Sequence, residues 1–411
     1  MIETREIQIT KLGRQGDGIA ESDKGDIYIP LTLPGETVKA DIEDDRGELL
    51  SIITPSEDRV KPICKHYQSC GGCGLQHLSQ KAYIEWKRNV VIQAFSKAGL
   101  DINPEPVKSV PLKSRRRATM DIRRTKKTIQ LGFHGRRSND IVDLEECHII
   151  NETIHSQLPN LKNLLRPLLS RKGTSRLHMT STLNGLDLSI DNVNKELSAE
   201  LREELGQSAR KFGIVRLTVD GETLFVQSPP VLKFSDVAVE ISPGGFLQAV
   251  EAAEINMTEI ILQAIGNAKK VADLFCGTGT FTFPMAKQAE VLAVEYDKAT
   301  LKQLKHGYEN AQGLKPIVTE LRDLSQDPLS AKELNAFDAV VFDPPRAGAK
   351  AQAEAIAKSE VPTVVAISCN PATLARDIKM LIDGGYKLEH ITPIDQFLYS
   401  SHIEAVAVLS R

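Results

Sequence analysis

Cys369 occupies a position where a thiol can do chemistry. It ends the apolar run Val364-Val365-Ala366-Ile367-Ser368 and is followed at once by Asn370-Pro371. A short apolar run with a proline break after it reads as a buried strand. The residue at the carboxyl end of such a strand faces the crevice in which open α/β sheets hold ligands. Upstream, Asp273-Leu274-Phe275-Cys276-Gly277-Thr278-Gly279-Thr280 reads as a second strand running into a glycine turn. A ligand-cradling turn and a thiol on one sheet predict group transfer with a covalent step.

The surroundings of the turn narrow the ligand. At Phe275, Gly277 and Gly279 the backbone can approach a cofactor closely, and Glu295 ends the next strand 22 residues after Asp273, where it can hold ribose hydroxyls. A dinucleotide fingerprint calls for a third glycine at position 282. That residue is Thr282, so S-adenosylmethionine (SAM) is favoured over NAD or FAD. Asp323, after the third strand, is the candidate partner of an adenine amino group. Asp343, in Asp343-Pro344-Pro345-Arg346, ends the fourth strand and faces the methionine or methyl end. Acids at successive strand ends favour a site over unrelated surface carboxylates.

A methyl donor beside a thiol suits uracil. Its C5 is a poor nucleophile, but a thiolate adding to C6 makes an enolate with charge at C5, which can attack an activated methyl group. A base must then remove the C5 proton so that β-elimination frees the enzyme. Cys369 suits the thiol role, and Glu404, in Ser401-His402-Ile403-Glu404, suits the base. Gln248, in Gly245-Phe246-Leu247-Gln248, can hydrogen-bond the uracil edge, as can Asp343. Cys276 has no base in view and reads as a core thiol.

Four other cysteines form a separate set. Cys64, Cys70 and Cys73 follow the spacing C-x5-C-x2-C with Gly71 and Gly72 between the last two, and Cys147 lies downstream beside His148. Four thiolates can hold a [4Fe–4S] cluster or a tetrahedral zinc. Zinc sites usually pair two close hooks, and one close hook with two outlying cysteines favours the cluster.

Three segments position these residues. Residues 1–56 alternate short β-like runs with glycine turns, which predicts a small barrel. Within it Gly16-Asp17-Gly18-Ile19-Ala20, Ile29-Pro30 and Leu33-Pro34-Gly35-Glu36 resemble the TRAM domain, an OB-like RNA-binding barrel. Residues 57–240 carry the cysteine set, a helix-like stretch from Gln80 to Gly99, and a basic segment. Between Lys113 and Arg137 ten positive charges face a single acid, Asp121. Arg115, Arg116, Arg117, Arg123, Arg124, Lys126 and Lys127 are the candidate RNA contacts, since Lys and Arg neutralise phosphates; a solvated, charged hairpin is the alternative. Residues 151–240 show no chemical motif. Residues 241–411 alternate strands and helices, which predicts an α/β domain with a parallel sheet covered on both faces. Strands are expected over 271–275, 291–295, 317–321, 339–342 and 363–368, with a closing pair at 388–394 and 403–409, the seven-strand pattern of a class I (Rossmann-like) methyltransferase.

At the motifs themselves the chain resembles the RNA uracil-5-methyltransferase family. Ser368-Cys369-Asn370-Pro371-Ala372-Thr373-Leu374-Ala375-Arg376-Asp377 is similar to that family's nucleophile motif, and Asp343-Pro344-Pro345-Arg346-Ala347-Gly348 and Asp273–Phe281 match two others. The resemblance covers essentially the whole chain and is weakest over 151–240. It implies Cys369 as nucleophile, Glu404 as base, and Gln248, Glu295 and Asp343 around SAM or uracil. It also implies a [4Fe–4S] cluster on the four cysteines in a central α+β domain. Two positions depart from the family. A Phe-Pro-His-Thr type stretch is replaced by Phe397-Leu398-Tyr399-Ser400, and Val-Asn after the glutamine is replaced by Ala249-Val250.

The whole-chain totals set the context. A length of 411 residues predicts two or three domains. No apolar run approaches the length of a membrane span, and Met1-Ile2-Glu3-Thr4-Arg5 lacks the pattern of a secretory leader. A cytoplasmic monomer is expected, whose six cysteines serve as ligands, catalyst or core rather than in disulfides. The net charge of −3 does not itself advertise nucleic acid, so local charge must carry that reading. Family members with both a TRAM domain and a cluster resemble the 23S rRNA-modifying branch, which makes 23S rRNA the favoured substrate and tRNA the alternative. An amino-group N-methyltransferase, suggested by Asp343-Pro344-Pro345, and a catalytically dead RNA-binding protein are the rival functions.

Overall fold

The structure, a computed structural model, describes residues 2–23, 25–193 and 195–411; Met1, the first residue of the leader reading and of the 1–56 segment, lies outside them. The first sheet has six strands in the order Glu3–Gln8, Thr37–Glu43, Arg46–Thr54, Gly25–Ile29, Gly18–Ser22, Lys11–Leu12. Its first and last members are successive pieces of one stretch, so the sheet curls back on itself as a barrel around Ile9, Ala20, Ile27, Ile29, Val38 and Ala40. Gly18 is required at the turn, because a Cβ there would lie 2.0 Å from the Thr32 hydroxyl.

The second sheet explains residues 151–240, where the sequence shows no chemistry. Its strand order is Glu222–Val226, Ile214–Val219, Gly185–Asp191, Ser175–Thr182, Arg117–Arg124, Ile129–Gly132. Helices Leu158–Leu165 and Ala199–Lys211 join its core through Leu161, Leu164, Leu165 and Leu205. Arg216 makes a bidentate buried bond to Asp187 (2.8 and 2.7 Å) and donates to the Ile241 carbonyl, tying this scaffold to the next domain.

The third sheet carries the predicted chemistry. Its seven main strands are β1 (Lys270–Leu274), β2 (Glu290–Glu295), β3 (Ile317–Leu321), β4 (Ala339–Phe342), β5 (Thr363–Ser368), β6 (Lys387–Asp395) and β7 (Glu404–Ser410), in the order β3-β2-β1-β4-β5-β7-β6. The strands β1 to β5 run parallel, and β7 is antiparallel to both of its neighbours. All seven expected strands are present.

The domain boundaries differ from the sequence reading. Helix α1 (Gln80–Lys97), assigned above to the central segment, packs Val90, Val91 and Phe95 into the same core as Leu374, Ile378 and Leu381 of helix α2 (Pro371–Asp383). Lys108–Ser109 adds an eighth strand beside β6. The hairpin Val231–Phe234 with Val237–Glu240 also buries its apolar residues in the core of the third sheet. An amphipathic pattern shows that a helix has a buried face but not which sheet it covers, which is why sequence position misplaced these pieces. Among the described residues no helix is long and apolar enough to cross a membrane.

Candidate active site

The carboxyl edge of the third sheet brings the predicted chemical residues together. Cys369 lies between the end of β5 and the start of α2, where the Asn370 side chain caps the helix by accepting from the Ala372 amide at 3.2 Å. Strands β5 and β7 pair with Ser368 opposite Ala405, which sets Cys369 level with Glu404. Burial and the nearby Glu404 carboxyl push the Cys369 thiol up, while the facing Arg346 guanidinium pulls it down. The helix N-terminus favours the thiolate as well.

Glu404 is buried and its carboxyl is pushed up to about 8 by that burial and by the neighbouring Asp343, against the pull of Gln396. Asp343 is itself pushed up to about 7 by burial, opposed by Gln248. Two side chains link these acids. Gln248 Nε2 donates to Asp343 Oδ2 at 3.0 Å, and Gln396 Nε2 donates both to Gln248 Oε1 at 2.9 Å and to Glu404 Oε1 at 2.8 Å. A carboxyl held near neutrality can accept and release a proton at physiological pH.

The glycine turn also has the expected form. Phe275, Gly277 and Gly279 take φ of +62°, +56° and +97°. A Cβ on Gly279 would lie 2.5 Å from the Phe283 ring. Phe275, a non-glycine residue in this region, is strain retained beside a site. Glu295 accepts from the amides of Gly277 (3.1 Å), Tyr296 (2.9 Å) and Asp297 (3.0 Å), so it fixes the turn as well as facing it. Thr282, where a dinucleotide site would have glycine, donates its hydroxyl to the buried Asp273, whose carboxyl is pushed up to about 7 by burial. Asp323 sits after β3 but is exposed and bonded to its own turn through Ser325. Cys276 is buried, with its thiol against the Gly277 carbonyl.

The candidate RNA contacts divide. Lys126 and Lys127 are exposed between the strands Arg117–Arg124 and Ile129–Gly132, and Arg123 and Arg124 are half-buried beside them. Arg115 and Arg117 are half-buried over the rings of Phe397 and Phe246. Arg116 is a correction. It is buried, paired with Glu254, and donates to the Gln248 carbonyl at 3.2 Å, so it braces the site from within and has no free face for phosphate.

The four cysteines are free thiols gathered in one neighbourhood, where burial first and then the charge of Cys147 push the Cys64, Cys70 and Cys73 thiols up. Arg136 wraps their loop by donating to the carbonyls of Tyr67, Cys70 and Cys73. Among the described residues no three metal-ligating side chains are close enough to chelate a single ion.

Sequence reasoning missed several residues. Lys87, on α1, is fully buried against Asp395 at 2.8 Å and donates to the carbonyls of Phe397 and His402. Tyr83 donates to the same Asp395 at 2.6 Å. The available signal was a lysine within the apolar stripe Tyr83, Val90, Val91, Phe95. Gln396 had no signal of its own. Arg14, on the barrel, donates to Asn370 next to Cys369 at 3.3 Å, a contact between distant parts of the chain.

The sheet order and the strained glycine turn define a methyltransferase-type fold, with Cys369 and Glu404 together at its carboxyl edge. A family model for tRNA (Uracil-5-)-methyltransferase matches residues 87–411, and a TRAM domain model matches residues 2–50. The chain belongs to the tRNA (uracil-5-)-methyltransferase family, with a TRAM domain at its start, and is thereby an RNA-methylating enzyme. An uncharacterized RNA methyltransferase of Mesorhizobium japonicum is 45% identical over 403 residues, spanning 98% of this chain and 97% of the relative. The 23S rRNA (uracil(1939)-C(5))-methyltransferase RlmD of Shewanella woodyi is 31% identical over 425 residues, spanning 98% and 95%. The crystal structure of Pyrococcus abyssi tRNA (uracil-54, C5)-methyltransferase in complex with S-adenosyl-L-homocysteine has the same fold, with a TM-score of 0.76 at 22% identity over 98% of this chain and 99% of that one.

Proposed function

We propose that the protein methylates C5 of a uridine in RNA, with Cys369 as nucleophile, Glu404 as base and SAM as methyl donor. The observation that carries this is the level placement of Cys369 and Glu404 on paired strands, joined through Gln396 and Gln248 to Asp343. SAM, when bound, supplies an electrophilic methyl group; Phe275, Gly277, Gly279 and Glu295 would hold it, with Asp323 at its adenine end. The Cys369 thiolate adds its electron pair to uracil C6, and the C5–C6 π electrons move onto the C5–C4–O4 enolate. After C5 has taken the methyl group, Glu404 removes the C5 proton. The electrons of that C–H bond re-form C5=C6 and expel the Cys369 thiolate. Gln248 and Asp343 orient the base edge. The target must be flipped out or lie in an exposed loop to reach Cys369.

The barrel and the basic residues Arg115, Arg117, Arg123, Arg124, Lys126 and Lys127 would grip RNA around it. The substrate favoured is 23S rRNA, supported by near-complete coverage of an rRNA-methylating relative; the tRNA enzyme of similar fold keeps tRNA as the second reading. Cys64, Cys70, Cys73 and Cys147 would hold a [4Fe–4S] cluster that braces the loop, since the chemistry needs no electron transfer. The test is incubation with methyl-labelled SAM and total RNA from a strain lacking the gene, then size separation and nucleoside analysis. Label in 5-methyluridine of large-subunit rRNA is expected. Label in tRNA overturns the substrate, and label in another nucleoside overturns the mechanism.

A further inference from the structure

Gln396 is 2% exposed at the end of the β6 run, and every bond its side chain makes is to the residues just assigned to the chemistry. Its Nε2 is shared between the Glu404 carboxyl and Gln248, while its Oε1 is buried with no partner. Folded proteins rarely leave a buried acceptor unpaired, and such groups tend to mark functional positions. The groups facing Glu404 are Asp343 from the end of β4, Arg346 from the loop after it, Cys369 from the end of β5 and Gln396 itself. Among these, the Gln396 amide is the one hydrogen-bonded to the Glu404 carboxyl.

Glu404 must exist in two forms during a turnover. As a carboxylate waiting for the C5 proton it only accepts hydrogen bonds; as the carboxylic acid that results, it must donate one. A primary amide offers both a donor and an acceptor at its tip. We propose that Gln396 is the positioning residue of the base: Nε2 holds Glu404 as the carboxylate, and rotation of the amide presents the unpartnered Oε1 to Glu404 once it carries the proton. The proposal rests on the reading of Glu404 as base. It adds a residue that touches neither SAM nor the reacting atoms, and it explains why the amide is buried with one end unused. The same amide also donates to Gln248, which keeps its own bond to Asp343 when that contact is lost.

The test is resolution of a preformed adduct. Protein, SAM and a substrate RNA react at pH 6, where Glu404 is largely protonated and the adduct persists. A jump to higher pH then starts resolution, followed on a denaturing gel. Forming the adduct first keeps the ionisation of Cys369 out of the measurement. In the parent the rate rises with pH and levels once Glu404 is ionised. Gln396→Met keeps the volume and removes the amide, so the Glu404 carboxylate loses its donor. The midpoint of the profile is expected to move up by about a unit, resolution at neutral pH to fall roughly tenfold, and the rate to recover at alkaline pH. KM for SAM and RNA stays within about twofold, because the amide touches neither. Gln396→Glu places a second acceptor against Glu404 and moves the midpoint further up. This second variant is polar and tests the same point if methionine disturbs the fold.

A midpoint unchanged in either folded variant, or a loss carried by KM alone, overturns the proposal. Failure of the underlying reading looks different: the parent itself then yields no RNA–protein adduct, and no comparison of midpoints arises.

Discussion

Replacing Lys87 by methionine tests how the loop that leads into Glu404 is held. Lys87 and Asp395 are both fully buried, 2.8 Å apart, and Lys87 also donates to the carbonyls of Phe397 and His402, the two ends of the loop that leads into Glu404. Burial pushes the Lys87 amine down while Asp395 pulls it back up, so the pair stands or falls together. Methionine matches the lysine stem but leaves Asp395 charged and buried with only the Tyr83 hydroxyl as donor. Removing one partner of a buried pair costs about 3–5 kcal/mol, against roughly 0.3–0.5 kcal/mol for an exposed i,i+4 pair such as Lys379–Asp383. The chain has one tryptophan, Trp86, adjacent to Lys87 and packed against the core beneath α1. Tryptophan fluorescence in a urea titration therefore reads the unfolding transition of this region within a multidomain protein. Lys87→Met is expected to lower its stability by about 3–5 kcal/mol and to slow turnover. The double variant Lys87→Met with Asp395→Asn is expected to cost less than the sum of the single changes, because the uncompensated charge is gone. A loss below about 1 kcal/mol for the single variant, or strict additivity in the double, would refute the view that this pair is a mutually dependent clamp.

The remaining predictions concern the thiols and the RNA. Cys369→Ala should abolish both the RNA–protein adduct and 5-methyluridine, whereas Cys276→Ala should keep both; a Cys369→Ala enzyme with full activity would point to N-methylation instead. Arg14→Gln should weaken RNA binding and reduce the slope of log K against log salt by about 0.7, the value for one phosphate contact on single-stranded RNA; an unchanged slope would remove the barrel loop from the interface. Protein purified without oxygen should contain iron and inorganic sulfide in equal amounts, and Cys73→Ser should lose both. Zinc in their place would replace the cluster reading.

Much of the fold was legible because its signals are local. A parallel strand buried on both faces reads as an apolar run, and Val271–Leu274, Val291–Val294 and Thr363–Ser368 did so. The proline break read after the Cys369 strand is the start of helix α2, with Asn370 as its cap and Pro371 in its first turn. What failed depended on partners remote in sequence. Arg116 lies in a basic run and looked like a phosphate contact, yet Glu254, 138 residues away, pairs with it in the interior. Lys87 reaches across to β6 in the same way, and no window of sequence containing α1 shows Asp395.

Glu404 shows how topology decides what a motif means. In a sheet of parallel strands the ligand edge collects residues that end strands, and Asp343 and Cys369 follow that rule by ending β4 and β5. Glu404 begins its strand, so the same rule applied alone would send it to the opposite edge, some 20 Å away at the usual strand rise. It reaches the site because β7 runs against β5 and β6, which turns its amino end toward the carboxyl ends of the others. The reversal also brings the β6–β7 connection across the mouth of the site, where Lys87 holds it and Gln396, at the exit of β6, can meet Glu404, at the entry of β7, across a gap of eight residues. The closing antiparallel pair therefore gives Glu404, the proposed base, its place, and an insertion or deletion between Gln396 and Glu404 is expected to lower activity even if each strand keeps its own residues.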